Sequence, residues 1–394
     1  MTDSPSQSIL SSRASLLWLA LPLIVLAIAA GWFVSSNPLR SFGTGAPPVE
    51  ILTFERTVLT SDGIGVLVRA GGSENMHIAQ VLVDDAYWEF TQDPGGALGR
   101  GQTAWIQIPY PWVLSEAHVV KIITNTGATF EHEIPVAVPT PVTTPGSLTS
   151  QALVGAFVGI VPVAVGLLFF PALRNVGRAG MDFLLSLTIG LLGFLTIDAA
   201  GEALELASEA APMFQGQAMV VLAALASFLL LLAIGRRGGA PVGLALSTFI
   251  ALGIGLHNLG EGLAIGAAFA SGAAGLGTFL VLGFTVHNIT EGIGIAAPMV
   301  KTRPPMWAFA ALTLLAGGPA VIGLWVGSLA YAPHWSALAL AIGFGAILQV
   351  LVEVSALLAK TDNRGLAVFT TRPVIAGLAF GVTFMYATAM LVKI

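Results

Sequence analysis

Cysteine is missing altogether, and charge is scarce: only 9% of the 394 residues are Asp, Glu, Lys or Arg. The first absence excludes disulfides, thiolate metal ligands and cysteine nucleophiles, though it says little about compartment. There is no block of Lys or Arg either, and the formal net charge is -5. Nothing here would neutralise a phosphate backbone, so a nucleic-acid partner is excluded. What fills the chain is apolar, 55% of residues, with a mean hydropathy of +0.86. That is the composition of a membrane protein.

The first apolar run, LLWLALPLIVLAIAAGWFV at 16–34, follows a short polar start containing Arg13. Small residues near Ala27 to Gly31 would suit a signal-peptide cleavage. The length, close to the roughly 20 residues a bilayer core requires, favours an uncleaved anchor over residues 1–40 instead. From 48 to about 136 the pattern changes to alternating apolar and polar positions, as in VEILTFERTVL, IGVLVRA, IAQVLVDD, TAWIQIP and HVVKIITN. Gly, Pro, Asn and Asp punctuate these runs, which predicts a small antiparallel β domain of sandwich type. A Pro/Thr-rich linker is expected over 137–150.

Eight segments long enough to span follow, at about 151–171, 181–206, 215–234, 241–270, 275–298, 306–330, 335–359 and 374–392. The expected fold is therefore an all-α polytopic bundle of eight core helices behind an anchor and a β domain. Pro241, Pro304, Pro305 and Pro373 stand at segment starts, where a missing N–H costs nothing. Lys and Arg occupy every second loop, at Arg174/Arg178, Arg236/Arg237, Lys301/Arg303 and Lys360/Arg364/Arg372. The positive-inside rule turns those loops towards the cytoplasm. An integral protein of the plasma (inner) membrane follows, with the β domain and the C-terminal Lys393-Ile394 outside and the N-terminus inside.

Ionisable groups within spans cost several kcal/mol and normally serve a function. GLHNLGEGLAIG places His257 and Glu261 four residues apart, one helical turn, and FTVHNITEGIGIA repeats the spacing with His287 and Glu291 thirty residues on. Two antiparallel helices can bring these four to one depth, and imidazole with carboxylate suits Zn²⁺ and other divalent first-row metals. A pair of hydrogen-bonded His–Glu struts is the structural alternative, made less apt by the repetition. Gly253, Gly255, Gly260, Gly262 and Gly266, with Gly283, Gly292 and Gly294, are expected to bring the two helices together.

Asp198, Glu202, Glu205 and Glu209 advance by about one turn each. Asp198 and Glu202 read as an acidic ladder drawing cations inward, and Glu209 as a solvated end. Gln349 and Glu353, again four apart, suit either an exit contact or pairing with another helix. Glu131, His132, Glu133, His77 and His118 are candidates for metal capture in the β domain. Strand geometry, however, puts 131 and 133 on the face opposite 132. His334, beside Trp335, reads as an interfacial residue.

HNLGEG followed by HNITEG resembles the ZIP family of divalent metal transporters, and within it the GufA-like branch, over about residues 151–394. The resemblance implies eight core helices with both ends outside, in pseudo-symmetric halves. It places the metal between the fourth and fifth, held by His257, Asn258 and Glu261 from one and His287 and Glu291 from the other. FLTIDAAGEALELA and GFGAILQVLVEV are weaker likenesses, and the β domain has none. Gly260 and Thr290 stand where members often carry Pro before the Glu. Asn288 and Gly318 stand where many carry an acid, which implies one strong central site and at best a weak second.

The expectation is thus transport of a divalent cation into the cytoplasm, zinc above Fe²⁺, Mn²⁺, Co²⁺ or Cd²⁺, with no prosthetic group. The partners are the ion and the bilayer, and a homodimer is admitted. Two other readings stay open: an intramembrane zinc hydrolase, and a membrane metal sensor that transports nothing. The first lacks HExxH, since Asn258 and Asn288 occupy the place of the base. No signalling motif marks the second.

Overall fold

The structure is a computed structural model that describes residues 12–36, 49–140, 144–239, 241–270, 274–330, 332–360 and 364–392. Residues 1–11 and 37–48, three positions of the expected linker (141–143) and the C-terminal Lys393-Ile394 lie outside the described residues. Residues 1–49 and 50–394 form separate compact units. In the first, α1 (Ser12–Ser36) coincides with the leading apolar run and carries Pro22 inside it.

In the second unit, period-two alternation produces eight strands. They are β1 (Leu52–Thr60), β2 (Gly63–Ala70), β3 (Ile78–Val83), β4 (Ala86–Trp88), β5 (Thr91–Asp93), β6 (Thr103–Ile108), β7 (His118–Thr124) and β8 (Thr129–Ile134). They form two four-stranded sheets, ordered β1-β2-β6-β5 and β4-β3-β7-β8, with every pairing antiparallel. One apolar core joins them: Ile64, Val66 and Val68 of β2 meet Ile106 and Ile108 of β6 and Val120 and Ile122 of β7. Gly63 turns the chain from β1 into β2 at φ +133°, where a side chain would strike the backbone of Ile108 and Pro109.

Eight helices long and apolar enough to cross a membrane follow among the described residues. They are α2 (Gly146–Leu173), α3 (Arg178–Glu209), α4 (Gly216–Gly235), α5 (Gly243–Ala270), α6 (Ala274–Ala296), α7 (Met306–Ala330), α8 (Pro333–Lys360) and α9 (Arg372–Val392). The first helical turn starts at Pro145, inside the stretch read as linker. The cause is a capping box: Ser147 N donates to Thr144 Oγ1 at 3.1 Å, while Thr144 N donates to Ser147 Oγ at 2.8 Å.

The helices pack in two groups. One is α2, α5, α6 and α7, the other α3, α4, α8 and α9, and α8 also packs on α5. Close approach in the first group depends on glycine. Gly255, Gly262 and Gly266 of α5 lie against backbone of α7, and Gly323 and Gly327 of α7 lie against Leu259 and Leu263 of α5. Gly292 of α6 meets Gly166 and Val163 of α2. This corrects the expectation that these glycines join α5 to α6. They seat those helices on other neighbours: Gly255, Gly262 and Gly266 on α7, Gly292 on α2, Gly294 on Thr188 of α3, and Gly253 and Gly260 on α8.

Two irregularities matter for the site. The α2 helix contains a π turn at Ala156–Ile160, and α7 contains Pro319, which withdraws one donor from its helical ladder.

Candidate metal centre

Midway along α5 and α6, His257, Glu261, His287 and Glu291 are only 2–4% exposed. The i,i+4 spacing puts each His–Glu pair on one helix face, but the tightest contact runs between helices. Glu261 Oε1 lies 2.5 Å from His287 Nε2 and 3.2 Å from His257 Nε2. The shorter contact is a hydrogen bond; the longer is close enough for charge attraction but out of line for one. One carboxylate oxygen therefore faces two imidazoles.

Two asparagines hold this arrangement. Asn258 Nδ2 donates to Ala316 O of α7 at 3.1 Å, three residues before Pro319. Asn288 Nδ2 donates to Val158 O at 3.0 Å, a carbonyl of the π turn in α2, and reaches Glu261 Oε2 at 3.3 Å. Both are fully buried. Sequence reasoning offered Asn258 as a neutral ligand and missed that its amide nitrogen grips a neighbouring helix. The Oδ1 atoms of both asparagines remain without a hydrogen-bond partner.

Nor does either oxygen of Glu291, or Nδ1 of His257, meet a hydrogen-bond partner in bonding geometry. Buried polar atoms left in this state normally cost free energy, which a bound cation removes. His257, His287 and Glu291 each offer a ligand atom within 4.8 Å of the others, and they are the one such group found among the described residues. Glu261 adjoins it as a fourth donor. The donor set, two nitrogens and carboxylate oxygens, fits a divalent first-row cation.

A cavity of about 60 Å³ connects this centre to α3: Asp198 and Glu202 share its lining with His257, Glu261 and His287, and Gly283 is part of its wall. Asp198 and Glu202 also line a second cavity of about 1040 Å³, together with Glu205 and Glu209. The larger cavity extends to residues of β1 and β8. The acidic ladder is thereby joined to the central residues, and Glu209, read as a solvated end, is exposed and also lines the larger cavity.

Glu353 stands apart from both linings. It is buried, and its Oε1 accepts from Arg236 Nε at 2.9 Å, so of the two roles left open the structure shows pairing with another element. Gln349 is buried with neither amide atom bonded. The β-domain candidates are dispersed: His118 Nδ1 pairs with Asp84 at 2.8 Å, Glu131 with Lys121 at 3.0 Å, and His132 Nε2 with Thr57 Oγ1 at 2.9 Å. Burial opposes ionisation of Asp84, yet hydrogen bonds from His118, the Val119 N–H and Tyr110 hold its carboxyl below the usual range.

His334 is the clearest displacement from expectation. It is 5% exposed, while the adjacent Trp335 is 60% exposed. Its ring stacks on Phe214 at 4.2 Å, and Nδ1 lies 3.7 Å from Glu55. Arg69, which clasps Glu55 at 2.5 and 3.0 Å, lies 5.3 Å from the centre of the Phe214 ring. This junction joins β1 and β2 to the start of α8 and the turn before α4. Nothing in the spacing of these residues announced it.

No protein-family model matches the chain, and no curated protein matches it.

Proposed function

We propose that the chain transports a divalent transition-metal cation, zinc above others, through His257, Glu261, His287 and Glu291. The observation that carries this reading is the set of orphaned, buried donor atoms at mid-span beside a cavity reaching the acidic ladder. A structural strut would have its donors and acceptors paired; Glu291 does not. The likeness of HNLGEG and HNITEG to the ZIP family agrees with this, and so does the two-group packing of the helices. The eight strands in two sheets support reading the extrinsic layer as a small β-sandwich.

The alternation of basic loops supports an orientation with the β layer outside and movement into the cytoplasm. In this reading a cation passes Asp198 and Glu202 and exchanges water for imidazole and carboxylate. It leaves when one helix group shifts against the other. Release is aided because protonation of either ligand type weakens the metal. Asn258 and Asn288 keep the ligand helices registered on α7 and α2, and Asn258 Oδ1 is positioned by the same bond as a neutral donor. With Asn288 and Gly318 in place of acids, a second ion is weakly held.

Metal uptake in cells or vesicles tests the proposal. His257→Ala and Glu291→Ala should each abolish uptake at equal expression, whereas undiminished uptake in both removes the transport role.

A further inference from the structure

Each helix group is fastened within itself. Ser247 Oγ of α5 donates to Ile295 O of α6 at 2.7 Å, and Trp325 Nε1 of α7 donates to Leu148 O of α2 at 2.9 Å. In the other group, Ser227 Oγ of α4 donates to Ile342 O of α8 at 2.9 Å. Where the groups meet, α8 lays Leu340 and Val350 on Gly260 and Gly253 of α5. Apolar contacts of that kind can slide without breaking a hydrogen bond.

At the end facing the β layer, α7 closes at Ala330 and α8 opens at Pro333, so one group passes directly into the other. Two neighbouring residues of β1 hold the two sides. Arg56 Nη1 donates to Leu329 O at 2.9 Å. That carbonyl is among the last four of α7, for which the helix supplies no N–H of its own. Glu55, buried and clasped by Arg69, lies 3.7 Å from His334 Nδ1 of α8. In the turn before α4, the Phe214 ring stacks on His334 within 8° of parallel and carries the Arg69 guanidinium 5.3 Å from its centre. Met213 beside it packs on Gly101, whose carbonyl accepts from Arg69 Nη1 at 2.7 Å.

Neighbouring residues of a strand ordinarily point to opposite faces. Here a bulge intervenes: Phe54 pairs with Val68 and Arg56 with Leu67, which leaves Glu55 without a partner in β2. Bulges re-aim side chains, and at this one both Glu55 and Arg56 reach the helices.

We propose that the β layer is a strap between the two helix groups. Its two attachments stand on adjacent residues of a hydrogen-bonded strand, so their separation is fixed, and a shift of one group against the other must stretch one of them. The Glu55 attachment is a buried cluster. The Arg56 attachment is a single bond from a long, half-buried side chain, and it breaks first. A bond present in one arrangement and absent in another biases the protein towards the first. The strap therefore holds the arrangement of the groups seen here, a conformational control supplied from outside the helix bundle. That a second arrangement exists rests on the transport reading.

The test is distance measurement by double electron–electron resonance on the full chain in nanodiscs. The chain has no cysteine, so labels attach only where one is introduced. Leu153→Cys on α2 with Gln217→Cys on α4 spans the groups, and Leu153→Cys with Val326→Cys on α7 stays within one; all three positions are exposed. One distance should dominate the spanning pair. Arg56→Met, which keeps the stem and removes the donor, should raise the share of other distances about fivefold and leave the reference pair unchanged. Phe214→Leu, which removes the ring between His334 and Arg69, should act in the same direction.

A spanning distance that neither variant alters would overturn the strap, even where uptake itself is confirmed. So would an equal change in the reference pair, which means general loosening of the chain. Redistribution confined to the spanning pair, in a chain that takes up no metal, would keep the strap and remove the transport reading.

Discussion

Glu261 is the residue on which both imidazoles depend. Its single oxygen facing His257 and His287 means that Glu261→Ala strands two buried rings at once. Loss of one partner from a buried pair costs about 3 kcal/mol, so a clear fall in melting temperature in detergent should accompany loss of metal binding. Asn258→Ala and Asn288→Ala remove one bond each to Ala316 O and Val158 O. About 1 kcal/mol apiece is expected for such bonds between membrane helices, a smaller shift in the same melt.

At His132 the sign of a pH effect follows from burial. Its folded value is depressed below 6.5, so the unfolded chain binds the extra proton. The stabilisation is complete above the ordinary histidine value and is lost as pH falls through the depressed one. Unfolding of the β layer should become easier between pH 7 and 5, and His132→Gln should flatten that dependence. That each His–Glu pair shares one helix face was legible from the i,i+4 spacing alone. The cross-helix bond from Glu261 to His287 was not, because spacing reports one helix face and not how two faces meet.

At the scale of elements, the α5–α7 crossing offers a sharp contrast. A Cβ on Gly262 would run into the backbone of Ala320, while one on Gly318 meets nothing within 4 Å. Gly262→Ala should therefore cost about 1–3 kcal/mol through overpacking, and Gly318→Ala should be neutral or slightly stabilising. Thermal melts of the two variants, purified side by side, check this.

The eight helices were readable because each needs some twenty apolar residues between polar loops, a signal too long to imitate by chance. Partners were not readable, since glycine marks close approach without naming what approaches. The three-residue strands β4 (Ala86–Trp88) and β5 (Thr91–Asp93) were missed because two alternations are too few to distinguish from a turn. The π turn in α2 has no such signature either. Its meaning appears only in the bond that Asn288 makes to Val158 O.

Across the whole molecule, the four central residues belong to one helix group and the acidic ladder to the other. Arg56 fastens the β layer to the end of α7, while Glu55 and Arg69 engage His334 and Phe214 next to α8 and α4. The β layer thus touches both groups. At the far end of the helices, Arg236 pairs with Glu353, and Arg364 Nη2 with Asp182 at 2.8 Å, tying elements within one group. A site divided in this way suits passage of an ion as the two groups shift.

The most direct measurement is Zn²⁺ influx into liposomes carrying the purified chain and an internal zinc indicator, with Glu291→Gln as the matched variant of near-equal volume. The account expects influx well above protein-free liposomes, reduced about tenfold or more in Glu291→Gln while the melt is retained. Equal rates in the two, or no influx above protein-free liposomes, would contradict it.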